Sequence, residues 1–209
     1  MKREDLEHII RASGVITDEY EFVIVGSQSL LGGHPYPPEV FTALAEADIY
    51  PLHAPEKADD IDGAIGEGSQ FHESNGYYAQ GVGPDTAILP DGWLRRVDKI
   101  QNDGTNSRIG YCLSAIDLFM AKVVANRDRD RDQRGAVGAR LRGGRNGRFE
   151  VDQMLIDTAA KGRLRARVKR WVGIAQAQAL AKDWGKPDKA TAPAFRAVVG
   201  ANGRHISCF

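Results

Sequence analysis

One stretch constrains this chain more than any other. Glu21-Phe22-Val23-Ile24-Val25 is β-branched and aromatic, and it runs directly into Gly26-Ser27. Such a run suits a buried strand that leaves its sheet through a tight turn. Farther on, Glu46-Ala47-Asp48-Ile49-Tyr50 alternates polar and apolar residues, as a half-buried strand does, and Pro51 stops it. Two acids at i and i+2 of a strand point the same way, about 7 Å apart along the backbone. A small turn at the end of a neighbouring strand lets backbone N–H groups and a hydroxyl approach phosphate oxygens. Either piece alone is common. Taken together they are compatible with a cation site beside an anion site.

The rest of the chain reads as an α/β front and a helical back. Leu6, Ile9 and Ile10 have helical spacing, and Gly14 lies where that helix is expected to end. Ser27 to Leu31 is expected to open a short helix with Ser27 near its N-cap, which Gly32-Gly33 and the prolines to Pro38 then break. Residues 55–68 look helical, and 69–76 read as a polar loop. Tyr77–Val82 and Thr86–Leu89 are strand candidates around a Gly83-Pro84 turn, and Arg95–Ile100 is a weaker one. Leu113–Ala125 is a strong helix with Ser114 as its N-cap. Helical spacing returns over 149–181, broken near Gly162. The expected fold is α+β: a mixed β-sheet core flanked by helices over 1–110, a helical part over 111–182 and a loosely ordered tail over 183–209.

Charge divides along the same line. Residues 1–100 hold 7 Lys/Arg against 18 Asp/Glu, a balance of −11, whereas residues 121–170 hold 15 against 6, a balance of +9. The front suits a cation site and the back can meet phosphates. Eight arginines stand among glycines and aspartates from Arg127 to Arg148. They suit contact with a polynucleotide backbone, or pair internally with Asp128, Asp130 and Asp132 in a solvated loop. No aromatic residue interleaves them, so base stacking is not indicated.

Other classes lack their marks. There is no run of eighteen apolar residues and no signal peptide, so no membrane association is expected. Cys112 and Cys208 have no metal-ligand spacing and suggest a reducing compartment, hence a cytoplasmic location. Neither a P-loop, a G-x-G-x-x-G fingerprint nor a G-x-S-x-G elbow occurs.

The strand ending Val25-Gly26-Ser27, the short helix after it and the Glu46-x-Asp48 strand resemble the DNA polymerase beta superfamily of nucleotidyltransferases. The spacing from Ser27 to Glu46 exceeds that pattern, and the Gly33–Pro38 segment accounts for the excess as an insertion. The blocks VGSQSLLGGHPYPPEV, EADIYP, DDIDGAIGEGSQFHESNGYYAQGVGPDTAILPDGW and CLSAIDLFMAKVVANRDRD narrow the resemblance. Over roughly residues 5–135 they look like the DUF6036-type nucleotidyltransferase-like proteins, a bacterial group related to the toxins of type IV toxin–antitoxin systems. The resemblance implies that Gly26 and Ser27 hold the phosphates of an NTP and that Glu46 and Asp48 bind Mg²⁺ or Mn²⁺. It places Lys122 at a basic position facing the triphosphate, and Arg127 and Asp130 in the continuation of the same helix. An RNA acceptor such as tRNA, or a protein hydroxyl, and an antitoxin partner are the further implications.

One departure from the superfamily matters. A third carboxylate commonly comes from a later strand and serves as general base. The candidate strand, Tyr77 to Val82, has no acid. Asp85 in the following loop is the assigned candidate, with Asp62 as another. If neither reaches the site, a catalytically degenerate fold that binds a nucleotide or a partner gains weight. Phe71-His72-Glu73 with Tyr77 and Tyr78 forms a further block in which His72 and Glu73 either contact substrate or are structural.

Overall fold

The computed structural model describes residues 1–37, 43–125 and 161–170. Five strands make one mixed sheet. They are β1 (Glu21–Ile24), β2 (Glu46–Pro51), β3 (Tyr78–Gly81), β4 (Asp98–Ile100) and β5 (Ile109–Cys112), in the order β3-β2-β1-β5-β4. The most apolar strand, β1, lies in the middle. It pairs antiparallel with β2, Val23 opposite Tyr50, and parallel with β5, Val23 opposite Tyr111. The outer pairs are β2 with β3, parallel, and β4 with β5, antiparallel.

Alternation along the strands separates two cores. Phe22, Ile24, Ala47 and Ile49 pack with Leu6, Ile9 and Ile10 of helix α1 (Arg3–Thr17) and with Ile61 and Ile65 of helix α3 (Ala58–Ile65). Val23, Val25 and Tyr50 face the other way. They meet Leu118, Phe119, Met120 and Val123 of helix α5 (Ala115–Ala125), and Leu164 and Val168 from the helical residues 161–170. Between these lie the short helices α2 (Leu30–Gly33) and α4 (Gln70–Asn75). The α+β class with a sheet flanked by helices is therefore observed, and among the described residues two helices follow the sheet. Residue 110 lies inside β5, so the sheet continues across the expected 1–110 edge. The tail over 183–209 lies outside the described residues.

Several local expectations are corrected. Helix α1 passes through Gly14 to Thr17 and ends on Asp18 in the left-handed region, φ 56°. Gly14 is small because the Arg108 side chain lies where a β-carbon would be, not because the helix stops there. The Gly26-Ser27 exit begins as a 3-10 turn (Ser27–Ser29) with Gly26, not Ser27, at its N-cap, and α2 then runs through Gly32 to Gly33. Residues 69–76 contain helix α4, which Ser69 caps by accepting the His72 N–H at 3.2 Å. Thr86–Leu89 is not a strand. Pro84–Thr86 is a 3-10 turn, and Ala87 and Leu89 are apolar because they pack on the α5-side core.

Candidate functional site

The ladder between β1 and β2 extends one bond beyond β1, since Val25 N–H donates to Asp48 O at 3.0 Å. This brings the Gly26 turn directly beside Asp48. A β-carbon on Gly26 would collide with the Asp48 carboxylate, so only glycine allows this approach. Ser29 Oγ donates to Gly26 O at 2.8 Å and Ser29 N–H to the same oxygen at 3.3 Å, fixing the turn from below. Gln28 Nε2 donates to Leu44 O at 3.3 Å and links the turn to the approach of β2.

Glu46 and Asp48 stand on the α5 side of β2 and are half-buried, while Ala47 and Ile49 fill the opposite core. Gly26, Ser27, Glu46, Asp48 and Lys122 line one cleft of about 420 Å³, with Leu113, Leu118, Ala121 and Ala87 among its apolar walls. Lys122 is only 8% exposed. Its side chain lines the cleft from within the fold rather than reaching past the core edge to water, and an ammonium buried there needs negative charge nearby.

Parallel register sets Tyr78 opposite Glu46 and Gln80 opposite Asp48. The Tyr78 hydroxyl donates to Glu46 Oε2 at 3.2 Å and lines the same cleft. Its pKa is pushed up to about 12, first by burial and then by the negative charge of Glu46, so it remains a donor at any ordinary pH. The His72 ring packs on Tyr78 with centroids 4.6 Å apart, and His72 Nδ1 accepts the Gly68 N–H at 3.0 Å. His72 thus supports Tyr78 from outside the cleft, and Glu73 is exposed.

The remaining acids go elsewhere. Asp85 is exposed on its 3-10 turn, leaning on Gly83, and is not in the cleft wall. Asp62 Oδ1 accepts the Gly81 N–H at 3.3 Å and ties α3 to β3. Among the described residues, no three His, Cys, Asp or Glu side chains are grouped to hold a metal ion. Arg127, Asp130 and the arginines to Arg148 lie outside the described residues.

A second constellation fixes the helix that carries Lys122. Asp117, fully buried, accepts from Arg96 Nη2 at 2.7 Å and Arg96 Nε at 3.1 Å. It also accepts from Ser114 Oγ at 2.7 Å, while the Asp117 N–H donates to Ser114 Oγ at 3.2 Å. The Ser114-x-x-Asp117 spacing is a capping signature that marks this start in the sequence. Its ion-pair partner Arg96, 21 residues earlier, has no sequence signal.

Among the described residues, no helix is long and apolar enough to cross a membrane. No curated protein and no solved structure is found to match the chain. Residues 4–135, which include every element of the sheet and the whole of the cleft wall, match the family described as nucleotidyltransferase of unknown function (DUF6036). The chain belongs to that family, whose description implies a nucleotide as substrate.

Proposed function

We propose that the cleft binds an NTP together with Mg²⁺ or Mn²⁺ and transfers its nucleotidyl group to a hydroxyl of an RNA, such as tRNA, or of a protein. The observation that carries this reading is the convergence of Gly26, Ser27, Glu46, Asp48 and Lys122 on one cleft. Glu46 and Asp48 would hold the metal ion. Two carboxylates leave the other positions of an octahedral ion to water and phosphate oxygens, which is the donor set Mg²⁺ takes. When bound, the ion offsets triphosphate charge and makes the acceptor hydroxyl more acidic. The Gly26-Ser27 turn receives phosphate oxygens, and the Lys122 ammonium balances the charge that builds on them. The acceptor oxygen bonds to the α-phosphorus, pyrophosphate leaves, and the acceptor's proton is released to solvent. A role as the toxin of a toxin–antitoxin pair, with an antitoxin protein as partner, belongs to the same reading.

A second reading has its own support. No third carboxylate joins Glu46 and Asp48 among the described residues, and this favours a nucleotide-binding module without turnover. Calorimetry with each NTP and Mg²⁺, run beside transfer of radiolabel from the α-phosphate to total RNA and protein, separates the two. Transfer that Asp48→Asn abolishes, with a nearly unchanged melting temperature, supports the enzyme. Binding without transfer supports the module, and full transfer by Asp48→Asn rules the site out.

A further inference from the structure

The Tyr78–Glu46 hydrogen bond bears on which cation the cleft accepts. Glu46 has two carboxylate oxygens, and the Tyr78 hydroxyl occupies Oε2 at 3.2 Å. Tyr78 is not free to swing away. Its backbone is fixed opposite Glu46 by the parallel ladder, and Tyr78 N–H donates to Ala45 O at 3.0 Å. The His72 ring backs its ring at 4.6 Å, and Ser69 and Gly68 hold His72 in turn. A cation that takes one oxygen of Glu46 leaves this bond intact. A cation that takes both must break or share it. Mg²⁺ and Mn²⁺ favour octahedral oxygen coordination, which suits single carboxylate oxygens, whereas the larger Ca²⁺ takes more oxygens and gains by binding a carboxylate through two as well as through one.

Building on the metal site proposed above, we infer that Tyr78 is a positioning residue that restricts Glu46 to one-oxygen coordination and so selects Mg²⁺ or Mn²⁺ against Ca²⁺. A phenol suits this task better than a third carboxylate would. It adds no charge, and it donates to Glu46 where another acid would compete for the ion. The absence of an acid on β3, which looks like a defect when only ligands are counted, is then a feature of cation choice.

The test is binding of Mn²⁺ by the full-length protein, followed by electron paramagnetic resonance, with Ca²⁺ as competitor. Asp48→Asn serves as the control for the site. In Tyr78→Phe, which keeps the ring against His72, Ca²⁺ should displace Mn²⁺ at about tenfold lower concentration than in the parent. A purely structural role for Tyr78 would weaken both ions together and leave their ratio unchanged, and that result overturns the inference. His72→Leu, which removes the backing ring and leaves the hydroxyl, should move the ratio the same way by a smaller factor. If the parent binds no Mn²⁺ that depends on Asp48, the metal site itself fails. If it does, and the ratio is the same in both Tyr78→Phe and His72→Leu, only the role of Tyr78 fails.

Discussion

Gly26 has no room for a side chain, and the atoms that fill the space belong to Asp48. In Gly26→Ala the new methyl would press on the carboxylate, whose Cγ lies 3.0 Å from the β-carbon position. Because the carboxylate is the far end of a rotatable side chain, it can turn away, so the fold should survive with a loss of a few degrees in melting temperature. The displaced carboxylate should lose Mn²⁺ by tenfold or more, read by the same titration as for Asp48→Asn. Unchanged Mn²⁺ affinity in Gly26→Ala would separate the turn from the metal pair. At this scale the sequence was informative where chemistry is local. Gly26, Ser27, Glu46 and Asp48 are legible in the strand pattern and Lys122 in the family resemblance, and all five line one cleft. Asp85 follows the candidate strand in order, but order does not show that its turn is exposed. In the sequence Tyr78 is only part of a polar block, since its place opposite Glu46 comes from a ladder between residues 32 apart.

Among the strands, β5 is the one hidden in the sequence. It has four residues, Gly110 stands within it, and it precedes the Leu113 N–H bond to Ile24 O at 3.4 Å with almost no linker before α5. Propensity argues against a strand with glycine inside it. Gly110 is there because Ile10 of α1 and Ile24 of β1 close over it, leaving no space for a methyl group. Packing between elements thus overrode the local signal. The start of α5, by contrast, was legible through Ser114, and its energetic anchor is the buried Asp117 held by Arg96. Replacing Arg96 with Met leaves Asp117 uncompensated and should cost about 3 kcal/mol in urea unfolding. The double variant Arg96→Met, Asp117→Asn should recover part of that loss, because the stranded charge is then gone. Equal losses in the single and double variants would show that Arg96 acts through its stem packing and not through the ion pair.

Among the described residues, burial holds five acid groups toward the protonated form, Tyr77 and Tyr111 to a lesser degree and three others strongly. Cys112 is raised from 9.0 to about 12, Tyr50 from 10.0 to about 12 and Tyr78 from 10.0 to about 12, in each case chiefly by burial. Cys112 lies in the α1-side core and Tyr50 in the α5-side core, so both faces of the sheet carry the same liability. The sign follows from proton counting. The unfolded chain releases these protons first, near 9 and 10, while the folded chain keeps them until about 12. Between those limits the unfolded state binds fewer protons, so stability falls as pH rises, by about 1.4 kcal/mol per pH unit for each group fully engaged. Tyr78 is half-buried and should contribute less than the other two. The melting temperature should therefore show no decline from these groups below pH 9. It should begin to fall as Cys112 becomes engaged, and fall more steeply above pH 10 as the tyrosines join. Cys112→Ala should remove the first stage and leave the second, and Tyr50→Phe should flatten the second. The phenolate absorbance of Tyr50 should appear only as the protein unfolds. If phenolate absorbance at pH 10 is smaller in Tyr50→Phe than in the parent while the parent's melting temperature holds, water reaches the Tyr50 hydroxyl in the folded state, and the α5-side core is less closed than its packing indicates.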